Sequence, residues 1–254
     1  MVPSEIARQS RSESVIPLAS RLKPSLASVF DRQPIETFEP GQPIFWQSDP
    51  AKHVFEIVEG LVRVFKILSD GRRVITGFLY AGDLIGISLM DRYLYGSEAV
   101  TKTRVRRFSR QSFQQRMNQS PELRPSLFAR LSDEMAAAQE QMVLLATKSA
   151  EERVCTFLVL TARRDRRAFV VSQLDLPMTR QDIADYLGLT IETVSRTFSS
   201  LASRGVITAE GRHQYRIMID KLITLAGELA GEVDAFHDGA DMHDEVDARQ
   251  FASA

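Results

Sequence analysis

Between Thr179 and Arg196 the chain reads Thr-Arg-Gln-Asp-Ile-Ala-Asp-Tyr-Leu-Gly-Leu-Thr-Ile-Glu-Thr-Val-Ser-Arg. Its last six residues hold an acceptor carboxylate (Glu192), hydroxyls (Thr193 and Ser195) and a forked donor (Arg196), groups able to reach the edges of nucleic-acid bases. That is chemistry of recognition. Nowhere does the sequence set a nucleophile beside a base or place ligands at metal-binding spacing, so an enzyme is not expected.

Two short helices broken at Gly188 would position these groups. Ile183, Leu187, Val194 and Phe198 supply the apolar positions that pack one helix on the other. Ala184 is small at the point of closest approach, Gly188 tolerates positive φ in the turn, and Thr190 is a good N-cap. Ile191, Glu192, Ser195 and Arg196 are then left on the outward face of the second helix. A helix-turn-helix places this part of its second helix in the DNA major groove. An ordinary helical hairpin is the alternative, and it needs the glycine but not the Glu and Arg.

The 254 residues suffice for two modest domains, each with its own core. With 44% hydrophobic and 26% charged residues, and no long uninterrupted apolar run, a soluble protein with no membrane partner is expected. One cysteine, Cys155, fits a reducing cytoplasm, and the N-terminus lacks a secretory pattern. The net charge of −1 hides an asymmetry, because residues 226–254 carry −7 and the remainder +6. Basic runs at Arg104, Arg106, Arg107 and Arg110 and at Arg163, Arg164, Arg166 and Arg167 read as solvated faces, with phosphate contact the alternative.

The texture divides the chain into five parts. Residues 1–30 are a Ser- and Pro-containing arm with a short helix near Leu22 to Phe30. Residues 31–118 form β-type runs between Gly turns, a small sandwich or barrel: Ile44–Trp46, Val54–Val58, Leu61–Ile67, Arg73–Leu79 and Arg104–Phe108. Residues 119–147 carry Leu127, Leu131, Met135, Ala138, Met142 and Leu145 as one apolar stripe through a helix of roughly thirty residues. This stripe suits pairing with a second copy, with packing on the β domain as the alternative. After a break at Thr147-Lys148-Ser149, residues 148–225 hold the helix-turn-helix, flanked by strands at Val170-Val171, Val206-Ile207 and Tyr215–Ile219. A hairpin tip at Gly211-Arg-His213 makes this a winged helix. Residues 226–254 are an acidic tail.

This order of parts resembles the cyclic-AMP receptor/fumarate-nitrate regulator (Crp/Fnr) superfamily over roughly residues 30–222. The resemblance rests on Gly41, Ile44-Phe45, Gln47–Asp49, Phe55–Gly60, Gly82–Gly86 and Glu192–Arg196, and the run Leu176–Arg196 is similar to the FixK-like branch. It implies an α+β fold: an N-terminal double-stranded β-helix (a cupin-like jelly roll of cyclic-nucleotide-binding-domain type), a long dimerisation helix and a C-terminal winged helix-turn-helix. It further implies a homodimeric regulator, acting as an activator through RNA polymerase, on double-stranded DNA with palindromic TTGA-like half-sites. Low-oxygen, nitrogen-fixation or denitrification genes would be its targets. Arg196 would pair with guanine O6 and N7, Glu192 with a cytosine amine while bracing Arg196, and Ile191 with a thymine methyl, with Ser195 allowing close approach. Thr179, Arg180, Gln181, Thr190 and Thr193 would contact phosphates, with Arg212 on the wing a weaker candidate. The Ser69–Arg73 loop is a candidate polymerase surface, a plain β-turn being the stronger alternative.

Three departures from the pattern limit what carries over. Where cyclic-AMP binders place a ribose-binding Glu and a phosphate-binding Arg, this chain has Gly86-Ile-Ser-Leu-Met and Tyr95-Gly-Ser97. Residues 1–35 contain no cysteine for an iron–sulfur cluster. Thr179 stands where some FixK proteins carry an oxidisable cysteine, and Cys155, among Val154, Phe157 and Leu158, reads as a buried structural thiol. No cofactor and no metal are therefore expected. His53 and His213 read as isolated surface groups in turns, and His237 and His243 as part of a solvated tail. A regulator of the same fold responding to a small molecule or haem is the rival reading; Trp46 could line its pocket, though core is simpler.

Overall fold

The computed structural model describes residues 26, 29–88, 90–164 and 172–227. The first half is a roll of two antiparallel sheets. One sheet runs β1 (Ile35–Phe38), β8 (Thr103–Ser109), β3 (His53–Glu59), β6 (Leu84–Ile85); the other runs β2 (Pro43–Phe45), β7 (Gly96–Ala99), β4 (Val62–Ile67), β5 (Arg73–Leu79). Between them Phe45, Phe55, Ile57, Val62, Ile85, Tyr93 and Val105 form a core, with Tyr93 stacked 3.9 Å from Phe45. Gly60 makes the β3–β4 turn possible. Its φ is +99°, and a Cβ there would lie 2.6 Å from the Lys102 carbonyl.

Helix α1 (Arg110–Gln119) follows, capped by Ser109, then a 3₁₀ turn (Pro121–Leu123) and α2 (Arg124–Thr147). The expected helix of roughly thirty residues is thus 24, because Pro121 and Pro125 close the first turns separately. Leu127 turns toward the cluster around Phe30 and Phe113, whereas Phe128 points outward. The exposed seam therefore runs Phe128, Leu131, Met135, Ala138, Met142, Leu145, spaced alternately three and four. Phe128, Met135 and Met142 are 68%, 61% and 62% exposed in the single chain.

Only Lys148 and Ser149 separate α2 from α3 (Ala150–Arg164). The C-terminal domain continues with β9 (Gln173–Asp175), α4 (Arg180–Leu187), α5 (Ile191–Ser203), β10 (Ile207–Ala209), β11 (Gln214–Ile217) and α6 (Ile219–Ala226). Strands β10, β11 and β9 pair in that order as the wing. Expected strands at Val206-Ile207 and Tyr215–Ile219 are thus present but shifted, and Ile219 opens a helix. The expected strand Val170-Val171, most of the helix near 22–30, Arg166, Arg167, His237, His243 and the tail beyond Gly227 lie outside the described residues.

The roll keeps its own core, and the two halves share a further one. Leu61, Phe65, Ile75 and Phe78 of the roll belong to one buried cluster with Val154, Phe157, Leu158, Ile183 and Leu187 of the C-terminal domain. Opposite Val64 and Phe65 the register skips Thr76, so β5 carries a bulge; bulges re-aim side chains, and Ile75 and Phe78, three apart, both reach the shared core. Phe78 meets Tyr186 edge-on at 5.4 Å and Phe157 at 6.2 Å. Trp46 is also not core; it is half exposed, its ring edge against Phe65. His53 sits in β3 rather than a turn, half-buried, and burial lowers its pKa. Among the described residues no helix is long and apolar enough to cross a membrane, and no group of three His, Cys, Asp or Glu side chains is placed to hold a metal ion.

Candidate nucleic-acid interface

Local chemistry sets the helix pair. Thr179 caps α4: its Oγ1 accepts from the Asp182 N–H at 3.1 Å, while the Asp182 carboxylate accepts from the Thr179 N–H at 3.0 Å and hydroxyl at 2.8 Å. This is a reciprocal capping box. Gly188 ends α4 in the left-handed region at φ +63°, and Thr190 caps α5 by accepting from the Thr193 N–H at 3.2 Å. Ile183, Leu187, Val194 and Phe198 are buried between the helices, and Ala184 has no exposed surface at their approach.

Ile191, Glu192, Ser195 and Arg196 form one exposed face on the first turn and a half of α5. Glu192 does not close an ion pair with Arg196, as the sequence suggested. Its own backbone N–H, then the Thr190 side chain, and last the nearby Arg196 charge hold its carboxyl below the ordinary range. Arg196 Nη2 lies 3.5 Å from the Thr193 hydroxyl. The two residues stand one turn apart on the same exposed face, so both side chains remain available to an incoming partner.

The other expected contact residues divide. Gln181 is exposed, donating to Asp185 Oδ1 at 2.6 Å, and Arg212 is exposed on the β10–β11 loop. Thr179 and Thr190 are spent mainly on capping, and the Thr193 hydroxyl lies 3.1 Å from that of Thr190. Arg180 is half-buried: its guanidinium lies 3.4 Å from the Phe198 ring centroid and donates to the Tyr215 hydroxyl at 2.7 Å. It ties α4 to α5 and the wing. His213 is pinned rather than isolated, its Nδ1 3.1 Å from the Leu176 carbonyl, which rigidifies the wing base. The run Arg104–Arg110 is largely neutralised by neighbouring acids, with Arg106 on Glu56 at 2.9 Å and Arg107 on Glu36 at 2.8 Å. Within the Ser69–Arg73 loop, Arg72 pairs with Asp70 at 2.7 Å in a hairpin turn, and Arg73 points instead to α4.

Residues that the sequence did not single out hold the helix pair in place. Arg153 donates to the carbonyls of Lys148, Leu187 and Leu145 at 3.0, 3.1 and 2.9 Å, binding the ends of α2 and α4 together. Lys148, buried, donates to Thr156 Oγ1 at 3.0 Å and to the Ala226 carbonyl that ends α6; burial lowers its pKa. Cys155 is fully buried and its thiol is pushed up to about 12 by burial.

Comparison with known proteins agrees with this geometry. Residues 152–226 match the family model described as Crp-like helix-turn-helix domain, and residues 35–120 match that described as Cyclic nucleotide-binding domain. The chain is 43% identical over 167 residues to the nitrogen fixation regulation protein FixK of Azorhizobium caulinodans, covering 65% of this chain and 67% of that protein. It is 41% identical over 177 residues to the transcriptional activatory protein AadR of Rhodopseudomonas palustris, covering 67% and 72%. The structure of FixK2 from Bradyrhizobium japonicum superposes with a TM-score of 0.72 at 35% identity, over 77% of this chain and 98% of that one. The chain belongs to the Crp/Fnr family of transcription regulators, a DNA-binding family rather than an enzyme family, and α4–α5 is its helix-turn-helix.

Proposed function

We propose that this protein is a cytoplasmic transcription activator of FixK type. It works as a homodimer on palindromic DNA without a bound effector and engages RNA polymerase once there. The observation that carries the reading is the face made by Ile191, Glu192, Ser195 and Arg196. It is fully capped behind and open in front, with an acceptor, a forked donor and an alkyl surface side by side. Thr179, Gln181, Thr190, Thr193 and Arg212 border it as phosphate contacts, whereas Arg180, held by Phe198 and Tyr215, acts as a structural tie. The seam Phe128–Leu145 supports dimerisation, since an apolar stripe this regular and exposed calls for a matching partner. The names of the FixK and AadR relatives favour activation and nitrogen-fixation targets. The exposed Ser69–Arg72 turn remains the surface offered to polymerase.

Selection of bound sequences from random duplex DNA with the purified protein tests this directly. Inverted TTGA-like half-sites recovered without any added ligand are expected. Recovery of unrelated or non-repeated sequences refutes it.

A cleft of about 570 Å³ between β6, α2 and α3 favours a second reading, a small-molecule receptor. Its charges weigh against an anionic effector. Asp83 already pairs with Arg130 at 3.1 Å and Arg164 at 3.4 Å. Asp133, Glu134 and Glu140 also line the walls, and burial with the Asp83 charge raises the Glu134 carboxyl. A cyclic phosphate would have to displace Asp83 from its arginines and remain beside four carboxylates. Calorimetry against metabolites and a haem absorbance spectrum separate the readings.

A further inference from the structure

The first helix of the helix-turn-helix is held by the roll through a compact ionic hub. Asp182 has 1% of its surface exposed. One oxygen of its carboxylate serves the capping box; the other accepts from Arg63 Nη1 at 3.0 Å and Arg73 Nη2 at 2.9 Å. Arg73 also grips Asp185 through Nε at 3.1 Å and Nη2 at 3.0 Å, and Arg63 is backed by Glu98 on β7. Four hydrogen bonds use nearly all the acceptor capacity of a carboxylate. Beside the hub lies the Phe78–Tyr186–Phe157 aromatic contact, and Gln141 of α2 donates to the Tyr186 carbonyl at 3.0 Å.

Apolar burial holds the domains together without fixing their angle, whereas directional charged hydrogen bonds fix register. The angle matters because a dimer must present its two reading helices about one DNA turn apart, roughly 34–36 Å. Arg153 ties the link Lys148-Ser149 and α4 to the end of α2, and the roll contacts add a second, separate anchor for α4 at its other side. Docking on the roll also leaves Ile191, Glu192, Ser195 and Arg196 exposed, so this contact does not mask the reading face.

We propose that Arg63 and Arg73 of the roll, acting on Asp182 and Asp185, are positioning residues that lock the helix-turn-helix in its DNA-competent orientation. The lock does mechanically what a bound effector would do by differential contact. It rests on the dimeric, palindrome-reading function proposed above.

The experiment compares wild type, Arg73→Glu and the charge swap Arg73→Glu/Asp185→Arg, full length, on duplexes carrying one or two half-sites from the selection. Arg73→Glu is expected to weaken two-half-site binding by about tenfold, and single-half-site binding by no more than about twofold. The swap restores the pairing with position 185 but not the bond to Asp182, so it recovers part of the loss, at least about twofold. Tighter two-half-site binding by Arg73→Glu would mean that docking masks the protein and overturns the proposal. Equal losses on both duplexes, or no loss on either, overturn it too. A second reading is independent of DNA: spin labels at Ser69→Cys and Ser203→Cys, in labelled protein diluted with unlabelled protein. Arg73→Glu broadens their distance distribution and the swap narrows it; an unchanged width refutes the lock. Wild type that does not prefer two half-sites contradicts the dimeric reading instead, and the spin-label result then stands by itself.

Discussion

Arg180 and Arg196 look alike in sequence, two arginines in one DNA-binding motif, yet the structure makes them opposites. Arg180→Ala removes a partly desolvated cation–π contact with Phe198, about 1–2 kcal/mol. It also removes a charge-assisted hydrogen bond to Tyr215, net about 1.5–3 kcal/mol. Since the guanidinium is only half-buried, water returns part of this, and about 2–4 kcal/mol of stability should be lost. At about 2–4 °C per kcal/mol for a chain of this size, melting falls by roughly 5–15 °C. Tyr215→Phe keeps the stack and removes only this hydrogen bond, so it should cost about 1–2 kcal/mol after the same allowance for water. Arg196→Ala, exposed and touching only Thr193, should stay within about 0.5 kcal/mol of wild-type stability. It should nonetheless lose about 1–3 kcal/mol of specific binding, with preference relaxed at one base pair. Thermal unfolding and binding titrations across a salt series read both quantities. Suppose Arg180→Ala melts with wild type while lowering affinity for every sequence and flattening the salt slope by about one. Arg180 would then be a free phosphate contact, and the stacking argument would be wrong.

Three further perturbations test other parts of the account. Met135→Lys puts a charge in the middle of the α2 seam, and sedimentation should show a monomer with two-half-site affinity reduced at least tenfold. Gly188→Ala meets only ordinary contacts, 3.7 Å from Leu145 and 3.8 Å from Arg153 Nη1, so its cost is conformational, about 1–2 kcal/mol in denaturant titration for an L-residue at φ +63°. Cys155 should resist iodoacetamide at pH 8 until denaturant is added, and oxidant should leave DNA binding unchanged. Its folded pKa is raised, so the stability from keeping the thiol protonated is whole below the ordinary value of 9.0 and is lost as pH rises toward about 12. Cys155→Ser should accordingly flatten the alkaline limb of the stability curve.

The helix-turn-helix was legible because every signal for it is local. A cap at Thr190, a left-handed glycine at 188 and apolar residues at helical spacing all lie within twenty positions. Strand β7 was not legible, for Gly-Ser-Glu-Ala has no β-type run; its place comes from pairing with β2 and β4. Leu127 shares the helical period of the seam with Leu131, and only the cluster around Phe30 decides which way it turns. The lock was illegible in principle, since Arg63 and Asp182 are 119 positions apart and Arg73 and Asp182 are 109. For Arg180 the motif position alone points to phosphates. Its partners Phe198 and Tyr215 belong to elements whose packing no period reveals.

These placements divide the labour between the two helices of the motif. Helix α4 is gripped from every side: by Arg63 and Arg73 from the roll, Gln141 from α2, Arg153 from α3, and through Arg180 by α5 and the wing. Helix α5 gives its inner face to the core through Val194, Phe198 and Leu201 and leaves the outer face without structural duty. Changes on α4 should therefore act on orientation and stability and alter binding to all sites together. Changes on the outer face of α5 should alter which sites are bound while the fold stays as it was. A surface can vary its specificity only if nothing else depends on it, and the price of that freedom is a neighbouring helix that can vary hardly at all.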